Sequence, residues 1–381
     1  MMNKKDIAEI RRRLNPQKNQ ITCLQGCFVG KNGEVISTFT HSLAAMPREE
    51  SEKYLAIFKR TLSGEIGQTL LPIDFTPEQV QESTEHALLT EMRRSGLENP
   101  DAVRTFYERV IAALRMDEAY LILLMHDGYD IPFRGADGET DAERSTEIFK
   151  YILCGVCPVK LTKAALSYSA GDGEFHSREA DWVVGAPEMG FMFPAFEQRS
   201  ANIYGAMYYT RDAGENHEDF AAAVFNTQVC PPARRQKETF NQVLESALDS
   251  ELSMGVVQQV QDSIREKIED QKNDREAAPL TVTREDVGDV LRQAGVSEDK
   301  VAVFEDHYEQ AFGEKAAISA VNVANTRQFE VRTPDVVIKV NPERSELVTT
   351  RVIDGLNYIL IRADEGVEVN GVNVKIARKE G

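Results

Sequence analysis

Three Xaa-Gly pairs between β-prone runs constrain the fold of this 381-residue chain more than any other feature. Asn-Gly and Asp-Gly suit the two-residue turn of a β-hairpin, because both central residues of that turn need a positive φ. The pairs are Asn32-Gly33, Asp354-Gly355 and Asn370-Gly371. They predict one antiparallel hairpin near the N-terminus and two close together near the C-terminus.

Helical periodicity marks further segments of the chain. Apolar residues recur at helical spacing over residues 4–14, 47–62, 76–95, 99–114, 283–294 and 297–312. At the start of one of these, Thr76 is placed as the N-cap, Pro77 as the first helical residue and Gln79 as the capping-box partner. A longer amphipathic pattern predicts one long helix over residues 236–272.

The middle of the chain is rich in predicted strands. Residues 119–125 and 149–159 are apolar runs, interrupted only by Lys150, and such runs are typical of strands buried on both faces. We therefore predict an α+β (mixed α/β) fold. It comprises an N-terminal mixed sheet-and-helix domain, a long amphipathic helix, and a C-terminal helical pair with a small antiparallel β-sheet.

The length of the chain predicts two or three domains. Cys230-Pro231-Pro232 indicates one boundary, and the polar residues 271–279 indicate a linker. The predicted segments are a mixed domain over residues 1–230, the long helix and linker over 231–278, and a C-terminal domain over 279–381.

Charge and cysteine usage narrow the function classes. The net charge of −18 argues against general binding to nucleic acid or to an anionic membrane, since such a surface repels phosphate. No apolar run approaches the ~18 residues of a membrane span, and no signal peptide is visible. Five cysteines, an odd and small number, fit reduced thiols in the cytoplasm. We expect a cytoplasmic bacterial protein.

Cys154 and Cys157 form the motif that most resembles a metal or redox site. They lie within a predicted strand, where residues three apart point to opposite faces. Bulges at Gly26 and Gly155 would be needed to bring them together with the other pair, Cys23 and Cys27. We expect buried structural thiols, no bound metal and no cofactor.

His126, Asp127 and Asp130 are the candidate catalytic residues. They follow a predicted buried strand, where α/β proteins often place ligand-binding groups, and a carboxylate there could orient His126 as a general base. The alternative is a polar strand exit followed by a turn. The acidic loop over residues 127–143 lacks the spacing of a calcium-binding loop, which favours a solvated loop.

The N-terminal helix carries a basic cluster on an otherwise acidic chain. Its members are the candidate partner-binding residues Lys4, Lys5, Arg11, Arg12 and Arg13. They could dock on an acidic protein, on a second copy of the chain, or on a local phosphate group. The alternative is a helix that packs Ile7, Ile10 and Leu14 on the body while its charges stay solvated.

Several longer segments resemble one bacterial family. They are residues 4–13, 151–154, 157–162, 190–196, 329–336 and 362–371. The chain resembles, over essentially its whole length, an uncharacterised domain-of-unknown-function family of anaerobic, low-GC Gram-positive bacteria. The resemblance implies a bacterial cytoplasmic setting, and it brings no activity, cofactor or catalytic residue.

Two functions remain open at the level of sequence. The first is a non-enzymatic interaction or regulatory protein, since no convergent catalytic set is visible and the segmented layout can present surfaces to a protein partner or to a second copy. The alternative is a hydrolase-like enzyme that uses His126, Asp127 and Asp130, with or without a metal.

Overall fold

The computed structural model describes residues 2–17, 21, 23–131, 133–134, 140–141, 147–227, 229–271, 274, 277–313, 316–363 and 366–375. The chain divides into two compact units. Unit 1 comprises Met1–Arg235 and Asp274–Pro279, and unit 2 comprises Gln236–Asn273 and Leu280–Gly381. Both contain helices and strands, and the pairings between the described strands are antiparallel, so the predicted α+β class is confirmed. The predicted three-segment division remains a prediction.

Unit 1 holds most of the strands. Its helices are α1 Lys4–Arg13, α2 Arg48–Thr61, α3 Pro77–Glu82, α4 Thr84–Arg94, α5 Pro100–Ala113 and α6 Glu218–Phe225. Its strands are β1 Cys23–Val29, β2 Val35–His41, β3 Leu70–Asp74, β4 Ala119–Ile131, β5 Phe133–Arg134, β6 Thr140–Asp141, β7 Glu147–Leu161, β8 Ala165–Ser169, β9 Glu174–Arg178, β10 Trp182–Val184, β11 Met189–Phe193, β12 Ala195–Glu197, β13 Ser200–Asn202 and β14 Gly205–Thr210.

One large sheet organises unit 1. Its strand order is β2-β1-β4-β7-β11-β14-β3, and β10 also pairs with β7. Both faces are covered, because Leu89 of α4 and Phe106 of α5 pack in one core while Ile10 of α1 and Phe58 of α2 pack in another. The central strands β4 and β7 are therefore apolar over residues 119–125 and 151–159, where both of their faces are buried.

Side-chain alternation assigns the residues of β4 to the two cores. Ile122 and Leu124 lie in the core under α4, α5 and α6, whereas Leu123 and Met125 lie in the core under α1 and α2. This period of two follows from the pleat of the strand. It also fixes which face each polar residue of β4 can reach.

The helices predicted for unit 1 are found close to their predicted bounds, with one exception. The capping box of Thr76 and Gln79 is present at the start of α3. The predicted helix over residues 76–95 is nevertheless two helices, because Ser83 has extended backbone angles and its hydroxyl accepts from the Glu85 and His86 amides. Ser83 is thus the N-cap of α4, and an N-cap interrupts the helix before it.

Unit 2 is built on helices with small hairpins attached. Its helices are α7 Ala233–Leu248, which belongs to this unit from Gln236 onward, α8 Met254–Gln271, α9 Arg284–Gln293, α10 Glu298–Phe312 and α11 Ala320–Val323. Its strands are β15 Thr281–Val282, β16 Ile318–Ser319, β17 Phe329–Arg332, β18 Val337–Val340, β19 Val348–Ile353, β20 Leu356–Ile361, β21 Val367–Val369 and β22 Val372–Val374. The helical pair α9–α10 is confirmed, with Gly295 at φ +84° between its members.

The predicted long helix is helical over most of its length but is divided into α7 and α8. A short 3-10 turn, Asp249–Glu251, separates them, and Asp249 has a left-handed φ of 43°. The Ser253 hydroxyl then accepts from the Val256 amide as α8 begins. Ser and Asp favour such caps and turns over helix interiors, because their side chains compete for backbone groups.

The two C-terminal turns adopt the predicted geometry. Asp354 and Gly355 have φ of 51° and 78°, and Asn370 and Gly371 have φ of 50° and 84°. Their strands form separate two-stranded sheets, β19–β20 and β21–β22, beside a third pair, β17–β18. Within the described part of the chain, no helix is long and apolar enough to cross a membrane.

Candidate functional site

The predicted catalytic residues lie inside a strand and not at its end. β4 continues to Ile131 because β7 pairs with it along its whole length, from Ala119 opposite Val159 to Ile131 opposite Glu147. His126 and Asp127 are consecutive in this strand, so their side chains leave opposite faces of the sheet. The structure therefore does not bring the two together, and the prediction that they follow the end of a strand is wrong.

His126 and Asp130 share a face but stand apart. Four residues of strand separate them by ~13 Å at ~3.3 Å per residue, and Asp130 is exposed. The His126 ring lies against Gly96, at the end of α4. Burial lowers the pKa of His126 below its ordinary value; the charge of Asp127 opposes this shift, and the charges of Lys150 and Arg93 add to it. His126 is thus a half-buried side chain on the face of the sheet that α4 and α5 cover.

Asp127 lies on the opposite face, in a buried polar network. Its carboxylate is fully buried and accepts a hydrogen bond from the Tyr151 hydroxyl at 2.8 Å. The Arg13 guanidinium lies 3.4 Å from the same carboxylate oxygen and donates to the Gly128 carbonyl at 3.2 Å. It also stacks over the Tyr129 ring, 4.3 Å from the centroid. The pKa of Tyr151 is raised well above its ordinary value by burial and by Asp127.

A second ion pair extends this network along α1. The Tyr129 hydroxyl donates to Glu9 at 2.6 Å, and Arg199 pairs with the same carboxylate at 2.8 Å. Burial and Glu9 raise the pKa of Tyr129 to about 12. Ile7, Ile10 and Leu14 are buried in the core beneath. The network therefore fastens α1 to the sheet through Glu9 in its middle and Arg13 at its C-terminal end.

The five basic residues of α1 have different environments. Arg13 is largely buried in the Asp127 network, and Lys4 forms an ion pair with Glu65 at 2.6 Å. Lys5 is half-buried. Arg11 and Arg12 are exposed. A contact between this cluster and a partner stays a prediction; the exposed members of the cluster are Lys4, Arg11 and Arg12, and of these Lys4 is already paired with Glu65.

The thiols are separated as strand geometry requires. Cys23, Cys27 and Cys154 belong to the core under α5, while Cys157, three residues along β7, leaves the other face. Burial raises the pKa of Cys27 to about 11 and that of Cys157 to about 12. Among the described residues, no group of three or more His, Cys, Asp or Glu side chains is arranged to hold a metal ion.

Within the predicted acidic loop over residues 127–143, residues 132, 135–139 and 142–143 lie outside the described residues, and residues 127–131 belong to β4. A different acidic region forms a cleft of about 700 Å³ in unit 1. The cleft lies between the end of α5, the ends of β7 and β11, and the start of α6. Its carboxylate-bearing residues are Asp117, Glu118, Glu188, Glu215, Glu218 and Asp219.

Two basic residues, Arg115 and Lys160, also line this cleft. Sequence reasoning missed the site because its residues come from five segments that are distant along the chain. The one available signal was the density of acids in residues 212–219, which include a glycine and stand at the start of a helix.

The hairpin β19–β20 is a second candidate site, in unit 2. Its base is anchored, because Val348 is fully buried and its carbonyl accepts from Gln258 of α8. Beyond the base, Val352 is 70% exposed and Leu356 62% exposed. Residues 352 and 356 leave opposite faces in the register of the hairpin, so both of its faces present apolar surface.

The chain belongs to the family described as a domain of unknown function (DUF4317), whose sequence pattern matches residues 2–372. The predicted family resemblance is thus confirmed over nearly the whole chain. No curated protein matches the chain.

Proposed function

We propose that this family member is a non-enzymatic cytoplasmic interaction protein that self-associates through its hairpin β19–β20. The observation that carries the proposal is the apolar exposure of that hairpin beyond an anchored base. An isolated two-stranded hairpin is marginally stable in water, and it gains stability when its apolar faces are covered. Exposed contiguous apolar surface of this kind marks interaction sites.

Charge supports a second copy as the occupant. The chain carries −18 overall, so most of its surface repels another copy. Residues 329–363 are an exception, since they contain five acidic and five basic residues. Two copies can therefore approach along this segment without the repulsion that opposes contact elsewhere.

The backbone of the hairpin supplies a mode of association. Within the described residues, β19 and β20 pair only with each other, so each has one edge of backbone donors and acceptors outside a ladder. Strand addition between copies would pair these groups while Val352 and Leu356 become covered. In a two-fold symmetric contact, each of these residues contributes once from each copy.

The test replaces one exposed valine with lysine and measures self-association by sedimentation equilibrium. Burying a valine side chain contributes about 1.5 kcal/mol, and a two-fold contact doubles this to about 3 kcal/mol. Val352→Lys should therefore weaken the dimer roughly 100-fold. The matched control is Val303→Lys, because Val303 is an exposed valine on α10 of the same unit.

Dissociation by Val352→Lys together with wild-type behaviour of Val303→Lys supports the proposal. A chain that stays monomeric at ~100 µM, or two variants that weaken association equally, overturns it. Near-ultraviolet circular dichroism on both variants checks that the unit remains folded.

The exposed arginines of α1 are tested separately. Deleting the helix would remove the buried Ile7, Ile10 and Leu14, so loss of association could simply report unfolding. The double variant Arg11→Glu/Arg12→Glu changes charge only at exposed positions. A salt-sensitive loss of association in this variant would place a second contact on α1.

A further inference from the structure

We infer that the acidic cleft of unit 1 binds a linear aliphatic polyamine. The cleft has a volume of about 700 Å³, which lies within the range of small-molecule sites. Six of its lining residues are carboxylates and two are basic. A site with this excess of negative charge attracts a ligand that carries several positive charges.

Some of the carboxylates of the cleft are paired with basic residues of the protein, and others are left to bind a cationic ligand. Lys160 pairs with Glu118 at 3.1 Å, and Arg211 pairs with Glu188 at 2.6 Å. Three other lining residues, Asp117, Glu218 and Asp219, form no ion pair among the described residues. Glu218 and Asp219 occupy the first turn of α6, where they also offset the positive end of the helix.

Asn216 provides an observation independent of the carboxylates. This lining residue is 2% exposed, and its side-chain amide donates to the Cys230 carbonyl. Its carbonyl oxygen Oδ1 is buried and has no hydrogen-bond partner within the described part of the chain. A buried acceptor without a partner costs about 1–3 kcal/mol, so a donor supplied by a ligand would be favourable.

The lining also selects the shape of the cation. Its carboxylates are too dispersed to surround one metal ion, since no metal-binding group of three occurs among the described residues. The half-buried Met116 adds apolar surface to the lining, and the buried Met189 and Pro158 lie behind it. A chain of methylenes carrying ammonium groups at intervals matches charges that are separated by apolar walls.

Isothermal titration of the full chain with spermidine at low ionic strength tests this inference. The cleft variant is Glu218→Gln/Asp219→Asn. The control variant is Glu49→Gln/Glu82→Gln, which removes the same two charges from exposed positions of α2 and α3 outside the cleft. We expect one spermidine per wild-type chain, at least tenfold weaker binding to the cleft variant, and less than a twofold change in the control.

Absence of saturable binding to the wild type, or equal weakening of both variants, would show that spermidine senses only the overall charge and would overturn the inference. Hydrogen exchange on the wild type gives a second readout that needs no variant. Spermidine should slow amide exchange in residues 214–220 and leave α2 unchanged. Protection spread evenly over acidic surfaces would contradict a site in the cleft.

Discussion

Replacing Asp127 by Asn should destabilise unit 1 by about 3 kcal/mol, because the side chain is fully buried. The Tyr151 hydroxyl donates to this carboxylate at 2.8 Å, and such a bond to a charged acceptor contributes about 1.5–3 kcal/mol. Arg13 lies 3.4 Å away and keeps some exposure, so its share is smaller, about 1 kcal/mol. The amide retains the shape of the side chain and removes its charge.

Neutralising a catalytic carboxylate is not expected to lower the stability in this way. Active-site residues often stand in strained or repulsive surroundings, so their neutralisation commonly leaves stability unchanged or raises it. The stability of Asp127→Asn therefore distinguishes a structural anchor of α1 from the general-base partner of the hydrolase-like alternative.

Urea unfolding followed by tryptophan fluorescence is the appropriate assay. Trp182 is the single tryptophan of the chain and lies on β10 in unit 1, so its signal reports on this unit. Asp130→Asn serves as the matched control, since Asp130 is exposed on the same strand, and it should stay within about 0.5 kcal/mol of wild type. An Asp127→Asn variant as stable as this control would refute the reasoning.

Three further predictions follow from burial and close packing. Burial lowers the folded-state pKa of His126, so the unfolded chain binds more protons than the folded chain as the pH falls. The free energy of unfolding should therefore decrease as the pH drops through about 6.5 toward the folded pKa. In a plot of the urea midpoint against pH, His126→Leu should flatten this part of the profile. In the native protein at pH 8, iodoacetamide should modify Cys230 alone, and denaturant should expose all five thiols to alkylation by mass spectrometry. Gly190→Ala should cost about 3 kcal/mol or more in urea unfolding, because its Cβ would lie 2.3 Å from the Cys154 carbonyl oxygen, whereas Gly171→Ala meets nothing closer than 3.9 Å and should change little.

The elements that sequence predicted well are those specified by neighbouring residues. The Asp354-Gly355 and Asn370-Gly371 turns need positive φ at two consecutive positions, and few residue pairs accept this. The capping box at Thr76 is likewise complete within four residues. Such signals do not depend on what the rest of the chain does.

The placement of His126 and Asp127 depended on a distant segment. An apolar run ends at Met125, and polar residues after it suggest a strand exit. β7 nevertheless continues to pair with β4 up to Ile131, and Arg13 and Tyr151 make it favourable to bury Asp127. The length of an interior strand is set by its partner, which local composition does not reveal.

The proposed sites in the two units are distinguished by the sign of their response to salt. Contact through β19–β20 would bury Val352 and Leu356 within a segment of balanced charge, so screening should leave it unchanged or strengthen it. Polyamine binding in the cleft would depend on attraction to carboxylates such as Asp117 and Asp219, and it should weaken steeply as the screening length falls from about 10 Å at 0.1 M to about 3 Å at 1 M salt. One salt series with both readouts would therefore separate apolar self-association from electrostatic ligand binding in the same preparation. Self-association that also weakens with added salt would indicate that the contact lies at Arg11 and Arg12 of α1 and not at the hairpin.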